Sequence, residues 1–168
     1  VEFAIIKGMI LGYHQYFFLK EQWEGVDTER EVLLDVPGGG QFACKVDAIV
    51  KERGKYWVHD VKTVSSFSET DKKMLNVDEQ FSHYCVVAGA KFNREFAGGI
   101  RTAIKTPGIK QTQKETVDEY CTRVVRDYQS RPEFYMQRIY VERTAEQLEA
   151  YRQYLEQIYV EITNNKFV

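Results

Sequence analysis

Two aspartates and a lysine lie on neighbouring predicted strands of this chain. Residues 42–47 predict one strand, and residues 55–63 predict its antiparallel neighbour after a charged turn. Side chains alternate along a strand, so Asp60 and Lys62 share one face of the predicted sheet. Carboxylates from paired strands, here Asp47 and Asp60, can bind a divalent cation such as Mg²⁺ or Mn²⁺. With an ammonium group beside them, they are suited to metal-assisted hydrolysis of a phosphodiester.

A glutamine and a tyrosine four residues apart extend this candidate site. Gln80 and Tyr84 fall on one face of a predicted helix, residues 75–90. The rest of that face is apolar, and an amide group in such surroundings needs a hydrogen-bond partner. Lys62 or a substrate phosphate can supply that partner, so we group the helix pair with the strand residues.

The order and spacing of these residues resemble the PD-(D/E)XK nuclease superfamily and, within it, the RecB-type exonucleases. Asp47 stands at the first acidic position of that family, although no proline precedes it. The tripeptide 60–62 matches the (D/E)XK motif. Gln80 and Tyr84 match the Q-x-x-x-Y motif, which separates the RecB branch from many restriction-type relatives. The resemblance covers residues 31–104 and includes phage recombination exonucleases and CRISPR-associated adaptation nucleases.

The resemblance implies a role for each site residue. Lys62 would position the attacking water, and Gln80 with Tyr84 would hold Lys62 and a nonbridging phosphate oxygen. Thr63 is a further candidate for a phosphate contact. The implied ligands of Mg²⁺ or Mn²⁺ are Asp47, Asp60 and the backbone carbonyl of Val61, with His14 and Glu31 as additional candidates. His14 departs from the family pattern because Ile10 stands where a glycine is usual.

Basic residues follow the candidate site in one segment without acidic residues. They are Arg101, Lys105, Lys110 and Lys114. The whole chain carries a formal net charge of −2, which is not typical of a bulk nucleic-acid binder. We therefore expect local basic residues to contact the DNA backbone without reading its sequence. The resemblance implies DNA as the partner, together with a single-strand annealing or other recombination protein.

Composition predicts one globular domain over residues 1–168, and the resemblance implies that it is a nuclease domain. A hydrophobic content of 43% supports a proper core, and neither a membrane span nor a signal peptide is visible. The three cysteines Cys44, Cys85 and Cys121 favour a reducing cytoplasm. The resemblance implies a bacterium or a phage-infected cell. The cysteines are too few and too widely spaced for the iron–sulfur cluster of some relatives. The absence of a starting methionine is compatible with a fragment of a longer chain.

The predicted fold class is α/β, with a mixed α+β sheet. A break at Pro37-Gly38-Gly39-Gly40 separates the first two strands, and Thr144 with Gln147 forms a capping box. The predicted helices cover residues 3–20, 75–90, 116–129 and 144–163, and the strands cover 29–36, 41–51, 55–64, 98–106 and 134–141. Helix, three antiparallel strands, helix and strand make up the restriction-endonuclease-like core of the superfamily. A helix, a strand and a closing helix follow it.

Other interpretations of the same residues remain. Asp47 fits a solvated strand face, and Asp60 with Lys62 fits a plain surface ion pair. Tyr84 fits simple packing of the helix. At the level of function, the alternatives are a catalytically inactive nuclease-fold domain that binds DNA or a partner protein, and an unrelated interaction domain with a chance motif. The intact set of Asp47, Asp60 and Lys62 favours the cleaving enzyme.

Overall fold

The structure is a computed structural model that describes residues 2–36 and 40–164, so the predicted break at Pro37, Gly38 and Gly39 lies outside the described residues. The described residues form a mixed α/β fold with a five-stranded sheet, which confirms the predicted class. The helices are α1 (Glu2–Tyr16), α2 (Glu69–Val77), α3 (Glu79–Phe92), α4 (Val117–Ser130), α5 (Pro132–Tyr135) and α6 (Ala145–Asn164), with a 3₁₀ turn at Phe18–Lys20. The strands are β1 (Glu24–Val36), β2 (Gly40–Glu52), β3 (Lys55–Val64), β4 (Phe96–Lys105) and β5 (Met136–Glu142).

The strands follow the order β1-β2-β3-β4-β5 across the sheet. The first three form an antiparallel meander, and the β2–β3 turn uses positive φ angles at Arg53 (51°) and Gly54 (80°). The amide of Thr106, which follows β4, donates to the carbonyl of Val64 at the end of β3. The carboxyl ends of β3 and β4 therefore meet at one edge, which makes this pair parallel and the sheet mixed.

The helical segment between β3 and β4 differs from the prediction. In place of one helix over residues 75–90, α2 ends at Val77 and α3 begins at Glu79. Asp78 separates them because its carboxylate accepts a hydrogen bond from the Gln80 amide at 2.9 Å and caps α3. The cap sets the helical phase of α3, and so fixes the direction in which Gln80 points.

A glycine on β4 sets how closely α3 approaches the sheet. A Cβ atom added to Gly99 would lie 2.0 Å from Cδ1 of Phe81, so the Phe81 ring fills the place of a side chain. Arg101, two residues further on, lies on the same face of β4, with its guanidinium 5.2 Å from the Phe81 ring. Ile100 points to the opposite face, where it packs with Val50 and Trp57.

Helix α1 packs against α4 through small residues. A Cβ on Gly8 would lie 2.7 Å from Val124, and one on Gly12 would lie 3.0 Å from Tyr128. The buried face of α1 is therefore built from Ala4, Gly8 and Gly12. The apolar residues whose spacing predicts this helix lie largely outside that face: Phe3, Ile6 and Ile10 are 70%, 54% and 61% exposed.

Backbone contacts divide the chain into two compact units. One contains residues 1–22, 61–71 and 102–139, and includes α1 and α4. The other contains residues 23–60, 72–101 and 140–168, and includes β1, β2, α3 and α6. The second unit carries Asp47, Asp60, Gln80, Tyr84 and Arg101.

All three cysteines are free and buried. Burial raises the pKa of the Cys85 thiol to about 12 and that of Cys44 to about 11. Both therefore remain protonated at neutral pH, which makes them poor nucleophiles. No helix in the described part of the chain is both long and apolar enough to cross a membrane.

Candidate active site

The pairing of β2 with β3 brings the two predicted ligand aspartates to neighbouring positions. Ala48 on β2 is paired with His59 on β3. Asp47 and Asp60 stand one residue further along the two antiparallel strands, so continuing this register places them opposite one another. Opposed residues in a sheet point to the same face, here the face of Ile49 and Val58. His59 lies on the other face, where its ring meets Trp23.

The two aspartates differ in exposure. Asp60 is buried, with 2% of its surface exposed, whereas Asp47 is half-buried. A buried carboxylate is costly unless an opposite charge offsets its desolvation. That charge is Arg101, whose Nε lies 2.7 Å from Oδ2 of Asp60. The two groups form a close ion pair that is not aligned as a hydrogen bond.

The other end of the Arg101 guanidinium is turned toward the start of α3. Its Nη2 donates to Oε1 of Gln80 at 3.3 Å and lies 3.6 Å from Oδ2 of Asp78. One guanidinium therefore bridges a strand carboxylate, a helix-cap carboxylate and the amide of the Q-x-x-x-Y motif. The Arg101 side chain is 14% exposed, so these contacts are made largely away from water.

Gln80 and Tyr84 are joined directly, as the i, i+4 spacing on α3 allows. The Gln80 Nε2 donates to the Tyr84 hydroxyl oxygen at 2.7 Å. The hydroxyl proton of Tyr84 is thereby left available for a further acceptor. Because Gln80 also accepts from Arg101, the two motif residues are tied to Asp60 through one side chain. The sequence predicts Lys62 or a phosphate as the partner of Gln80, whereas in the structure its amide bonds to Tyr84 and Arg101.

The residues that follow Asp60 on β3 are open to solvent. Lys62 and Thr63 are exposed, and Val61 is 38% exposed. Strand alternation turns the Lys62 side chain to the same face of β3 as Asp60, and the Val61 side chain to the other.

The donor set at the two aspartates suits Mg²⁺ or Mn²⁺. Both ions prefer oxygen ligands, and Mg²⁺ usually keeps several waters while binding one or two carboxylates. Asp47, Asp60 and the Val61 carbonyl are oxygen donors of the type that these ions prefer. Within residues 2–36 and 40–164, no group of three or more histidine, cysteine or acidic side chains forms a larger cluster. Two carboxylates completed by backbone and water are therefore the set to test.

His14 and Glu31, the additional ligand candidates, have other neighbours. His14 is exposed on α1, and its ring stacks on Phe18 with centroids 5.1 Å apart. Glu31 is exposed on β1 opposite Lys45 of β2. Neither contact involves Asp47 or Asp60.

The basic side chains of the predicted DNA-contacting segment have different surroundings. Lys110 and Lys114 are exposed, and Lys105 is half-buried with its Nζ 3.8 Å from the centre of the Phe134 ring. Arg101 differs from these lysines because its guanidinium is engaged with Asp60 and α3. The segment predicted as one DNA-contacting group therefore has one member inside the candidate site.

The link from Arg101 to Asp60 is the feature that sequence reasoning missed. A signal for it exists, because Arg101 interrupts the apolar strand Phe96–Lys105, and a charged residue on a buried strand needs a partner. A second signal is Asp78, because an aspartate directly before a helical pattern is typical of a helix cap and indicates where α3 begins.

No protein-family model matches this chain. A search of curated proteins likewise finds no match.

Proposed function

We propose that this chain is a Mg²⁺- or Mn²⁺-dependent deoxyribonuclease, of exonuclease type, that acts in recombination, repair or phage DNA processing. The observation that carries the proposal is the placement of Asp47, Asp60, Gln80 and Tyr84 in one compact unit. Continuation of the β2–β3 register places Asp47 opposite Asp60, and Gln80 is linked to Asp60 through Arg101. These links between separate sequence segments support a site built from the (D/E)XK and Q-x-x-x-Y motifs.

The order of elements supports the same proposal. Helix α1, the antiparallel strands β1, β2 and β3, the helical segment α2–α3 and the parallel strand β4 follow the order of the restriction-endonuclease-like core. In this arrangement the carboxyl-terminal half of β3 carries the tripeptide 60–62. We propose that this core is the nuclease scaffold of the chain.

The side chains have distinct roles in the proposed reaction. Asp47, Asp60 and the Val61 carbonyl would hold the divalent cation, which would polarise the scissile phosphate and make a water more acidic. Lys62, exposed beside Asp60, would orient that water and offset the charge that develops on the phosphate. The Tyr84 hydroxyl, which already accepts from Gln80, would donate a hydrogen bond to a nonbridging phosphate oxygen.

A second candidate function is a domain that binds DNA or a partner protein without cutting. The observation that favours it is the ion pair of Asp60, in which Arg101 holds the carboxylate that the metal needs. Under this alternative the guanidinium is a permanent structural counter-ion, and the protein has no affinity for divalent cations at Asp60.

Cleavage of DNA in the presence of Mg²⁺, Mn²⁺ or EDTA separates these two functions. We expect linear DNA to be degraded with either metal and to remain intact with EDTA. A closed circular substrate in the same assay reports endonuclease action, because an exonuclease needs an end. Binding of DNA without any metal-dependent cleavage would support the second candidate.

The replacement Asp60→Asn is the decisive variant for the nuclease. It removes the charge of a buried metal ligand and keeps its shape, so we expect cleavage to be lost and Mn²⁺ affinity measured by calorimetry to fall sharply. The matched control is Asp35→Asn, since Asp35 is an exposed strand aspartate bonded to Gln41. Thermal denaturation of both variants establishes that they are folded. Undiminished cleavage by Asp60→Asn would refute the assignment.

A further inference from the structure

Arg101 stands between two carboxylates that belong to different elements. Its Nε contacts Asp60 on β3 at 2.7 Å, and its Nη2 lies 3.6 Å from Asp78 at the cap of α3. The Asp60 side chain is 3% exposed and that of Asp78 is 31% exposed. Asp60 is thus the buried partner of the guanidinium, and Asp78 is its solvent-accessible partner.

A divalent cation at Asp60 would compete with the Arg101 guanidinium for the same buried carboxylate. Two cations that share Asp60 would repel each other strongly, because the electrostatic interaction is little screened in a buried site. The chain offers an alternative position for the guanidinium, since Asp78 and the Gln80 amide already hold its Nη2 end. A small rotation of the arginine about this end would free Asp60 without leaving the positive charge unpaired.

We propose that Arg101 is a placeholder for the metal, an inference that rests on the proposed function. Its guanidinium neutralises Asp60 while the divalent cation is absent, and Asp78 and Gln80 retain it when the cation takes Asp60. Arg101 is in this sense a positioning residue. It keeps the apo site folded, lowers the affinity for metal, and transmits metal binding to Gln80 and so to Tyr84.

The first test is the affinity of the DNA-free protein for Mn²⁺, measured by calorimetry. The replacement Arg101→Gln removes the competing charge, and we expect the Mn²⁺ dissociation constant to fall by roughly tenfold. The matched control is Arg94→Gln, because Arg94 is exposed and covers the Tyr56 ring at 4.6 Å. This control also removes one positive charge and should leave the affinity within about twofold of the wild type. Equal or weaker binding by Arg101→Gln would overturn the proposal.

Stability supplies a second measurement that does not depend on catalysis. Without metal, Arg101→Gln removes the guanidinium that lies 2.7 Å from the buried Asp60 carboxylate, so the melting temperature of this variant should fall below that of the wild type. Saturating Mn²⁺ restores a positive charge to the same carboxylate, and the melting temperature should recover. A purely structural arginine predicts the same loss without recovery by Mn²⁺, and that outcome contradicts the placeholder role.

The cap residue provides a variant that folds even if the arginine variant does not. Asp78→Asn keeps a good helix cap and removes the carboxylate that retains Arg101. The guanidinium then holds Asp60 more firmly, and we expect Mn²⁺ binding to weaken severalfold. If Asp78 acted on the metal only through long-range charge, its replacement would have an equal effect in the Arg101→Gln background. We expect the double variant to lose most of that effect, which a double-mutant cycle measures.

The same experiments distinguish failure of this inference from failure of the proposed function. A wild-type protein that binds no Mn²⁺ and cleaves no DNA refutes the nuclease, and the placeholder with it. A wild type that binds Mn²⁺ and cuts, with Arg101→Gln binding no more tightly, refutes the placeholder alone.

Discussion

Asp47 and Asp60 occupy comparable places on adjacent strands and yet have different surroundings. Asp60 is buried against Arg101, whereas Asp47 is half-buried near the open stretch of β3. Removing a partner from a buried charge costs more than removing one at the surface. Replacement of Asp60 should therefore affect both folding and metal binding, and replacement of Asp47 should affect mainly metal binding.

Lys62 is the residue whose proposed role can be separated most cleanly from metal binding. It is exposed, so Lys62→Ala should not disturb packing. We expect this variant to lose turnover and to retain Mn²⁺ affinity, because a group that acts on the water and on transition-state charge is not a ligand. The loss of its positive charge favours metal binding electrostatically. The experiment pairs single-turnover cleavage with calorimetry, and a parallel loss in both would indicate a collapsed site.

The bond between Gln80 and Tyr84 gives a second prediction for single side chains. Tyr84→Phe deletes the hydroxyl that accepts from the Gln80 amide, and Gln80→Ala deletes the amide. A hydrogen bond of this kind contributes about 1 kcal/mol, so both proteins should fold. We expect slower cleavage at nearly unchanged DNA affinity, measured by single-turnover rates and filter binding. A tyrosine that merely packs would make Tyr84→Phe silent in both assays.

For single side chains, the sequence predicts contacts between residues that are near in the chain better than contacts between residues that are far apart. The i, i+4 relation of Gln80 and Tyr84 follows from helical geometry, and the shared face of Asp60 and Lys62 follows from strand geometry. The Asp60–Arg101 pair depends on β4 lying beside β3, which is a property of the tertiary fold. No local spacing specifies that contact.

Among the elements, strong local signals are the ones that predict bounds well. Strand β3 covers residues 55–64 as predicted, because a glycine turn and a polar segment delimit it. The capping box of α6 is present, since Thr144 and Gln147 bond each other's backbone amides. Strand β1 begins at Glu24 and not at residue 29, because pairing with β2 extends it. Residues Pro132–Tyr135 form the short helix α5, and β5 begins only at Met136. No periodic pattern in the sequence indicates this boundary, which depends on tertiary packing.

The close contact between α3 and β4 predicts that a larger residue at Gly99 destabilises the protein. Gly99→Ala places a methyl group into the Phe81 ring, which lies 2.0 Å from the added Cβ. Overpacking of this kind costs about 1–3 kcal/mol, measured as a loss in the free energy of unfolding by urea. Since Arg101 follows on the same face, the shift should also slow cleavage.

The control is Gly25→Ala on β1, where an added Cβ meets nothing within 4 Å. We expect its stability to change by no more than about 0.5 kcal/mol. Equal stability of the two alanine variants would show that α3 can move away from β4 without cost.

For the whole molecule, the net charge of −2 makes the distribution of charge more informative than its sum. If the exposed lysines contact the DNA backbone, Lys110→Glu and Lys114→Glu should weaken binding and make it less dependent on salt. Turnover at saturating DNA should remain near normal. Filter binding over a salt series measures the slope, and Lys73→Glu, at an exposed lysine of α2, serves as the charge-matched control. An unchanged slope would remove these lysines from the DNA interface.

The global arrangement of strands is only partly encoded in local patterns. Hairpin neighbours such as β2 and β3 follow from a short turn, whereas the place of β4 beside β3 requires a crossover through α2 and α3. The resemblance to a known core predicts that crossover, and periodicity alone does not. The division of the backbone into two compact units was likewise not predictable, since each unit is assembled from three separate stretches of chain.

The Phe81 ring above Gly99 has a consequence for how this sequence can diverge. The two positions share one volume, so a larger residue at 99 is tolerable only with a smaller one at 81. Homologues that keep the site should therefore show covariation between these positions, with the summed side-chain volume roughly constant. Gln80 directly precedes Phe81, and Arg101 follows Gly99 by two residues. A search pattern can therefore combine Q-x-x-x-Y, with its phenylalanine after the glutamine, with a later G-x-R segment. This longer pattern is a more selective means of finding distant relatives than either short motif.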